Sequence, residues 1–139
     1  MNIKELISAI TITLKNKYPE TTIYKEKILQ GFIKPCFFVT CLNSEQNKTA
    51  QLKYDREYLF NVRYHMESPE RVELLIKGEE LQEALQELKK NNEILIGKNL
   101  NYEIVDDVLQ FFVSYKQRLI KIEKQGPLMN DLNIEGGVK

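Results

Sequence analysis

Few side chains in this chain are equipped for chemistry. It has one histidine, His65, and two cysteines, Cys36 and Cys41. A thiolate nucleophile would need one of those cysteines beside His65. Strand pairing could arrange that, but the flanking signals of a nucleophilic cysteine are absent. The simplest reading of both is a small buried hydrophobe. On one extended strand they face opposite ways, so no bridge between them is expected. So few cysteines suit a reducing cytoplasm. Glu103, Asp106 and Asp107 make an acidic cluster of the kind that holds Mg²⁺. Glu103 falls mid-strand, however, while the aspartates occupy a turn, which reads more simply as a solvated hairpin end. No glycine-rich phosphate loop, paired metal-ligand motif or nucleophile elbow occurs. Nothing here points to a cofactor, a metal or catalysis.

The elements that would position these residues centre on Leu100 to Ile122, LNYEIVDDVLQFFVSYKQRLIKI. Two strands joined at Asp106-Asp107 pair Val105 with Val108, Ile104 with Leu109, Glu103 with Gln110 and Tyr102 with Phe111. Side chains alternate, so Leu100, Tyr102, Ile104, Leu109, Phe111, Val113 and Tyr115 share one apolar face. A slip of one residue would bring Glu103 and Gln110 inward, so the register is well specified. Asp-Asp is a weaker turn signal than Asn-Gly, because neither residue is free at positive φ.

Upstream, Ile3, Leu6, Ile7, Ile10 and Leu14 recur at helical spacing, predicting a helix of about 14 residues capped by Asn2 and ended at Tyr18-Pro19. Thr21 to Lys25 predicts a short strand, and Gly31 a turn. Pro35 can open a strand but not sit inside its ladder. Residues 35–42, PCFFVTCL, are apolar on both faces, as in a strand covered on both sides by helices or neighbouring subunits. Residues 43–53, NSEQNKTAQLK, show no regular period and read as an exposed loop or protruding hairpin tip. Tyr54 to His65 alternates, with Tyr54, Tyr58, Phe60, Val62 and Tyr64 on one face and Arg56 interrupting it. Ser68-Pro69-Glu70 reads as a helix start. That helix is expected to run to about Lys90, with Leu74, Leu81, Leu85 and Leu88 inward, Leu75 and Ala84 beside them, and Gly78 permitting close packing. Lys89 and Lys90 would then suit its negative end, Asn91-Asn92 would stop it, and Glu93 to Ile96 would be a short strand ending before Gly97.

The order is helix, strands, helix, strand pair. It predicts an α+β fold, a single curved, mostly antiparallel (mixed) sheet with two main helices packed on it. The 139 residues suggest one domain over residues 1–125 and a C-terminal tail over 126–139. Twenty Lys+Arg balance twenty Asp+Glu, which argues against a nucleic-acid binder relying on global positive charge. The N-terminus does not read as a signal peptide, and no run approaches the roughly 18 apolar residues of a membrane span.

GFIKPCFFV (31–39), YDREYLFNVRY (54–64) and YEIVDDVLQFFVSY (102–115), with the closing PLMNDLNIEGGVK, resemble the tail terminator proteins of long-tailed bacteriophages and prophages of Gram-positive bacteria. The likeness runs through nearly the whole chain in order. It implies an α+β virion tail protein assembled in the host cytoplasm. It further implies a homo-hexameric ring that stops tube growth, contacts the tail tube protein and the head-tail connector or neck protein, and lets DNA only pass through. It carries no catalytic residues. A neck or head-completion protein of the same particle is the near alternative, and a small metal-dependent hydrolase using Glu103, Asp106 and Asp107 the distant one. Interface candidates rest on exposed segments. They are the apolar tail residues Leu128, Met129, Leu132 and Ile134, docked across a subunit boundary or back on their own subunit, and a tube or lumen loop with Asn47, Lys48, Gln51 and Lys53.

Overall fold

The structure, a computed structural model, describes residues 1–25, 28, 30–123 and 132–135. Its elements are α1 (Ile3–Lys17), β1 (Thr22–Tyr24), β2 (Cys36–Ala50), β3 (Lys53–His65), α2 (Arg71–Ala84), β4 (Glu87–Lys90), β5 (Glu93–Val105), β6 (Val108–Glu123) and β7 (Leu132–Glu135). The strands form one curved mixed sheet in the order β1-β2-β3-β6-β5-β4, with β7 added on β6. Among the described residues only β1–β2 is parallel. The α+β architecture is the one expected.

The β5–β6 hairpin has the expected register, Val105↔Val108 through Tyr102↔Phe111. Asp106 and Asp107 both take positive φ, 51° and 61°, the conformation that a two-residue hairpin turn demands of its central pair. Strand pairing overrides the modest cost for aspartate. β6 has β3 on its other side over the whole span Lys53↔Ile120 to Tyr64↔Leu109. One face of these strands meets α1 and α2 in a single core containing Leu6, Ile10, Phe37, Phe60, Val62, Leu74, Leu81, Phe111, Val113 and Tyr115. This face is called inner below. The Tyr115 hydroxyl donates to the Leu85 carbonyl at 2.5 Å, so its polar atom is satisfied although the residue is fully buried.

The α1 prediction holds from cap to end. Asn2 and Glu5 form a reciprocal capping box. The helix continues through Thr11 and Thr13, whose hydroxyls donate to the carbonyls of Ile7 and Ala9.

Residues 68–105 need correction. The helix starts at Arg71, with Glu70 as an extended N-cap that makes no side-chain cap bond, rather than at Ser68. It ends at Ala84 rather than Lys90. Leu88, Lys89 and Lys90 belong to β4, which pairs with Glu93–Ile96 through a turn at Asn91, φ 56°. Leu88 is fully buried all the same, because that leucine faces the core on either a helix or a strand. Nor does the next strand stop before Gly97. It continues from Glu93 to Val105, pairing first with β4 and from Gly97 onward with β6, with a bulge between Lys98 and Asn101 where Asn99 takes φ 54°. Gly78 does permit close packing, since a Cβ there would lie 2.5 Å from the Tyr102 ring.

The register makes a stability prediction. Phe111→Ala empties a fully buried position and should cost about 3–5 kcal/mol. Glu103→Ala, on an exposed position, should cost little. Urea melts showing the reverse order would contradict this pairing.

Candidate functional site

The residues equipped for chemistry are brought together only in part. The β2–β3 register sets Cys36 directly opposite His65. Burial pushes the Cys36 thiol up from its ordinary value. Burial also holds the His65 imidazole low, with Arg63 and Lys34 adding repulsion. A thiolate–imidazolium pair needs the opposite shifts. His65 instead packs edge-on against Phe32 and Phe38, centroids 4.9 and 5.3 Å away, and the Arg63 guanidinium lies 4.9 Å from the Phe38 ring. These contacts cover the outer side of β2 near Phe38 from within the chain. Both cysteines are free. Glu103 lies in β5 and the two aspartates in the turn. Among the described residues no three His, Cys, Asp or Glu side chains are grouped for a metal, so the metal-hydrolase alternative gains no support.

The polar stretch 43–53 is not the irregular loop that was one of its two readings. It is the end of a long hairpin, with Asn43↔Leu59 to Lys48↔Tyr54 in register and Leu52 at φ 65° in the turn. Both faces of β2 there are solvated, so no apolar alternation remains to be read. Consequently Asn47, Lys48, Gln51 and Lys53 do not form one surface. Asn47 pairs with Asp55 and Lys48 with Tyr54, on opposite faces of the sheet. Gln51 is in the turn and Lys53 opens β3. Arg56, the interruption of the apolar face, is satisfied by the side-chain oxygen of Gln46 at 2.9 Å through its Nε.

β6 continues beyond the helices. Its inner row continues past Tyr115 with Gln117 and Leu119, both buried. The Gln117 Oε1 accepts from the Met1 amine at 2.8 Å, its Nε2 donates to the Met1 carbonyl, and Glu93 Oε2 accepts from the same amine at 2.8 Å. Here β5 parts from β6. On the outer face the parting leaves a cleft of about 520 Å³, lined by Asp55, Ile94, Ile96, Lys98, Lys116 and Arg118 among others. Lys116 and Arg118 both reach Asp55, at 3.3 and 3.4 Å, and Lys98 reaches Glu57 at 3.8 Å.

Two apolar surfaces escape the sequence reading. Ile94 and Ile96 are exposed at the cleft, and Val72, Leu75 and Ile76 are exposed on α2. Leu75 was expected near the inward stripe. Apolar residues on both sides of one helix blur the periodicity that would reveal which side is free. In the tail, Leu132 and Ile134 lie in β7, whose backbone pairs with β6 of its own chain. Leu128 and Met129 lie outside the described residues.

The features that stand out among the described residues are surfaces: the hairpin end, the cleft and the outer side of α2. A family model described as phage tail terminator protein matches residues 5–127. This chain belongs to the phage tail terminator family. The match spans the core, the hairpin end and the cleft. Tail terminators are structural components of the virion tail, a family not known for catalysis. Among curated proteins none matches this terminator chain.

The buried imidazole makes a pH prediction for this terminator. The unfolded His65 binds its proton near pH ~6.5, and the folded one only at lower pH. Its contribution to stability is therefore complete above that value and is lost as pH falls through it. His65→Gln should flatten that part of a plot of urea midpoint against pH. Parallel plots for the two proteins would mean that another group titrates.

Proposed function

We propose that this tail terminator closes into a homo-hexameric ring on the head-proximal end of the tail tube. The ring stops addition of tube protein and presents its other side to the neck or connector protein, with DNA only passing through. Assembly takes place in the host cytoplasm. The observation that carries this reading is the family match over residues 5–127. The form of the subunit supports it. A ring that caps a tube needs shape, apolar anchors and complementary charge, and the bare sheet end, the cleft and the α2 face offer these. The hairpin end with Asn47, Lys48, Gln51 and Lys53 is assigned to the tube end or the lumen, where weak contact suits passing DNA.

Light scattering on the purified protein should give the mass of a hexamer, and the protein should be present in tails made without heads. A protein found only on heads would instead be a neck or head-completion component. Removing the charges of Lys48 and Lys53 together should leave folding intact and alter capping or DNA transit. Unchanged phage yield would argue against that assignment.

The C-terminal tail is assigned to the subunit boundary, Leu128 and Met129 included. β7 lies along the free side of the β6 end, where a neighbour could meet it. Truncation after Gln125 should leave a folded subunit with reduced ring mass. A lower melting point at every dilution would mean that the tail serves its own subunit alone, and a truncated protein unchanged in both would leave the tail without a docking role.

A further inference from the structure

We propose that copies of this chain join front to back, the outward ridge of α2 on one copy seating in the β5–β6 cleft of the next. This rests on the ring reading above and names the surfaces that close it.

α2 is apolar on two sides. Leu74, Gly78 and Leu81 are buried against the sheet. At 3.6 residues per turn, Val72, Ile76, Glu79 and Glu83 lie on the opposite side. Val72 is 60% and Ile76 42% exposed, with Leu75 on the flank at 37%. A helix packed on a sheet normally shows polar residues there. The ridge is thus apolar in its first half and acidic in its second. Among the described residues, neither Glu79 nor Glu83 has an ion pair, although Glu83 borders a shallow groove with Lys17 of α1.

The cleft has the complementary character. Ile94 and Ile96, 57% and 53% exposed, alternate with buried Leu95 and so face away from the helices. Lys98, Lys116 and Arg118 stand beside them, three cations against the carboxylates of Asp55 and Glu57. Asp55 is largely covered, its side chain 13% exposed, whereas Lys116 and Arg118 are about half exposed at 43% and 56%. The surface a neighbour meets is therefore apolar with a surplus of positive charge. Apolar ridge matches apolar wall, and unpaired carboxylates match surplus cations. That complementarity lies within one sequence, which makes the occupant a second copy.

The two surfaces sit on opposite sides of the sheet, since α2 packs on the inner face and Ile94 and Ile96 point from the outer one. A contact between them cannot be two-fold symmetric. It is head to tail, the class of contact that generates rings when the rotation closes.

The experiment uses two full-length variants. Val72→Ser with Ile76→Ser spoils the ridge and leaves the cleft. Ile94→Ser with Ile96→Ser does the reverse. Each alone should remain folded by thermal melting and fail to form rings, its half-assembly concentration raised at least about tenfold. Mixed in equal amounts at high concentration, they should form one-to-one dimers and nothing larger, because each supplies the surface the other lacks. A folded variant that keeps full ring mass, or a mixture with no dimer, overturns the assignment. Wild-type protein that is monomeric throughout, even on tube ends, overturns the ring reading and this inference with it. Rings that persist in both variants overturn only the surfaces. If the serine variants fail to fold, Glu79→Lys probes the same ridge at an exposed position. It should weaken ring formation, and an unaltered ring would refute the proposal.

Discussion

The alternation along β6 is the constraint on which the rest depends. β6 has long neighbours on both sides, β3 and β5, and β3 in turn links it to β2. A single parity decides which of its residues meet the helices. Leu109, Phe111, Val113 and Tyr115 go inward and Gln110 does not. The two-residue turn at Asp106-Asp107 sets that parity for β5 from Asn101 to Val105, a bulge between Lys98 and Asn101 shifts it by one before that, and the β3 ladder carries it across the sheet. A slip of one residue would reverse every assignment at once, so the core and the turn specify each other.

β6 is also longer than the core needs. The helices cover its first half, and past Tyr115 the inner row changes from aromatic to the amide of Gln117. That amide is satisfied by the amine and carbonyl of Met1, which ties the chain's first residue to β6. At the same level β5 turns away toward β4. Gly97 makes this possible. A Cβ there would stand 2.9 Å from the Leu85 carbonyl oxygen, and its amide donates to the Gln86 carbonyl at 2.6 Å. One divergence of two strands therefore opens the cleft, while Leu88 and Leu95 stay in the core and Ile94 and Ile96 are exposed.

The side chains equipped for chemistry are used as structure. Cys36 and His65 are paired across strands, yet burial favours the neutral form of each. Tyr18 shows the same economy. Burial pushes its hydroxyl far up, its proton is held by Glu80 at 2.7 Å, and Lys77 lies 4.0 Å from the centre of its ring. These groups fasten α1, α2 and β2 together.

The sequence by itself determined the elements whose signal is local or carried by neighbours in the chain. The Asn2 capping box, the turn at Asp106-Asp107 and the alternation of β3 and β6 were all legible, because each needs only residues a few positions apart or one tight turn away. The family was legible from the order of those same core patterns. Only the tertiary structure decided the fate of residues 85–97. Leu85 and Leu88 satisfy an inward stripe on a helix and an inward row on a strand alike, and the choice is made by a distant partner, Glu93–Ile96, which pairs with β4. It also decided the hairpin end at 43–53, where solvent on both faces removes the alternation that marks a strand and the hydrogen bonds of β3 hold the backbone instead. The same reason hides the exposed apolar patches. Val72, Ile76, Ile94 and Ile96 carry no local mark of exposure, and only the packed position of α2 and the pairing of β5 turn them outward.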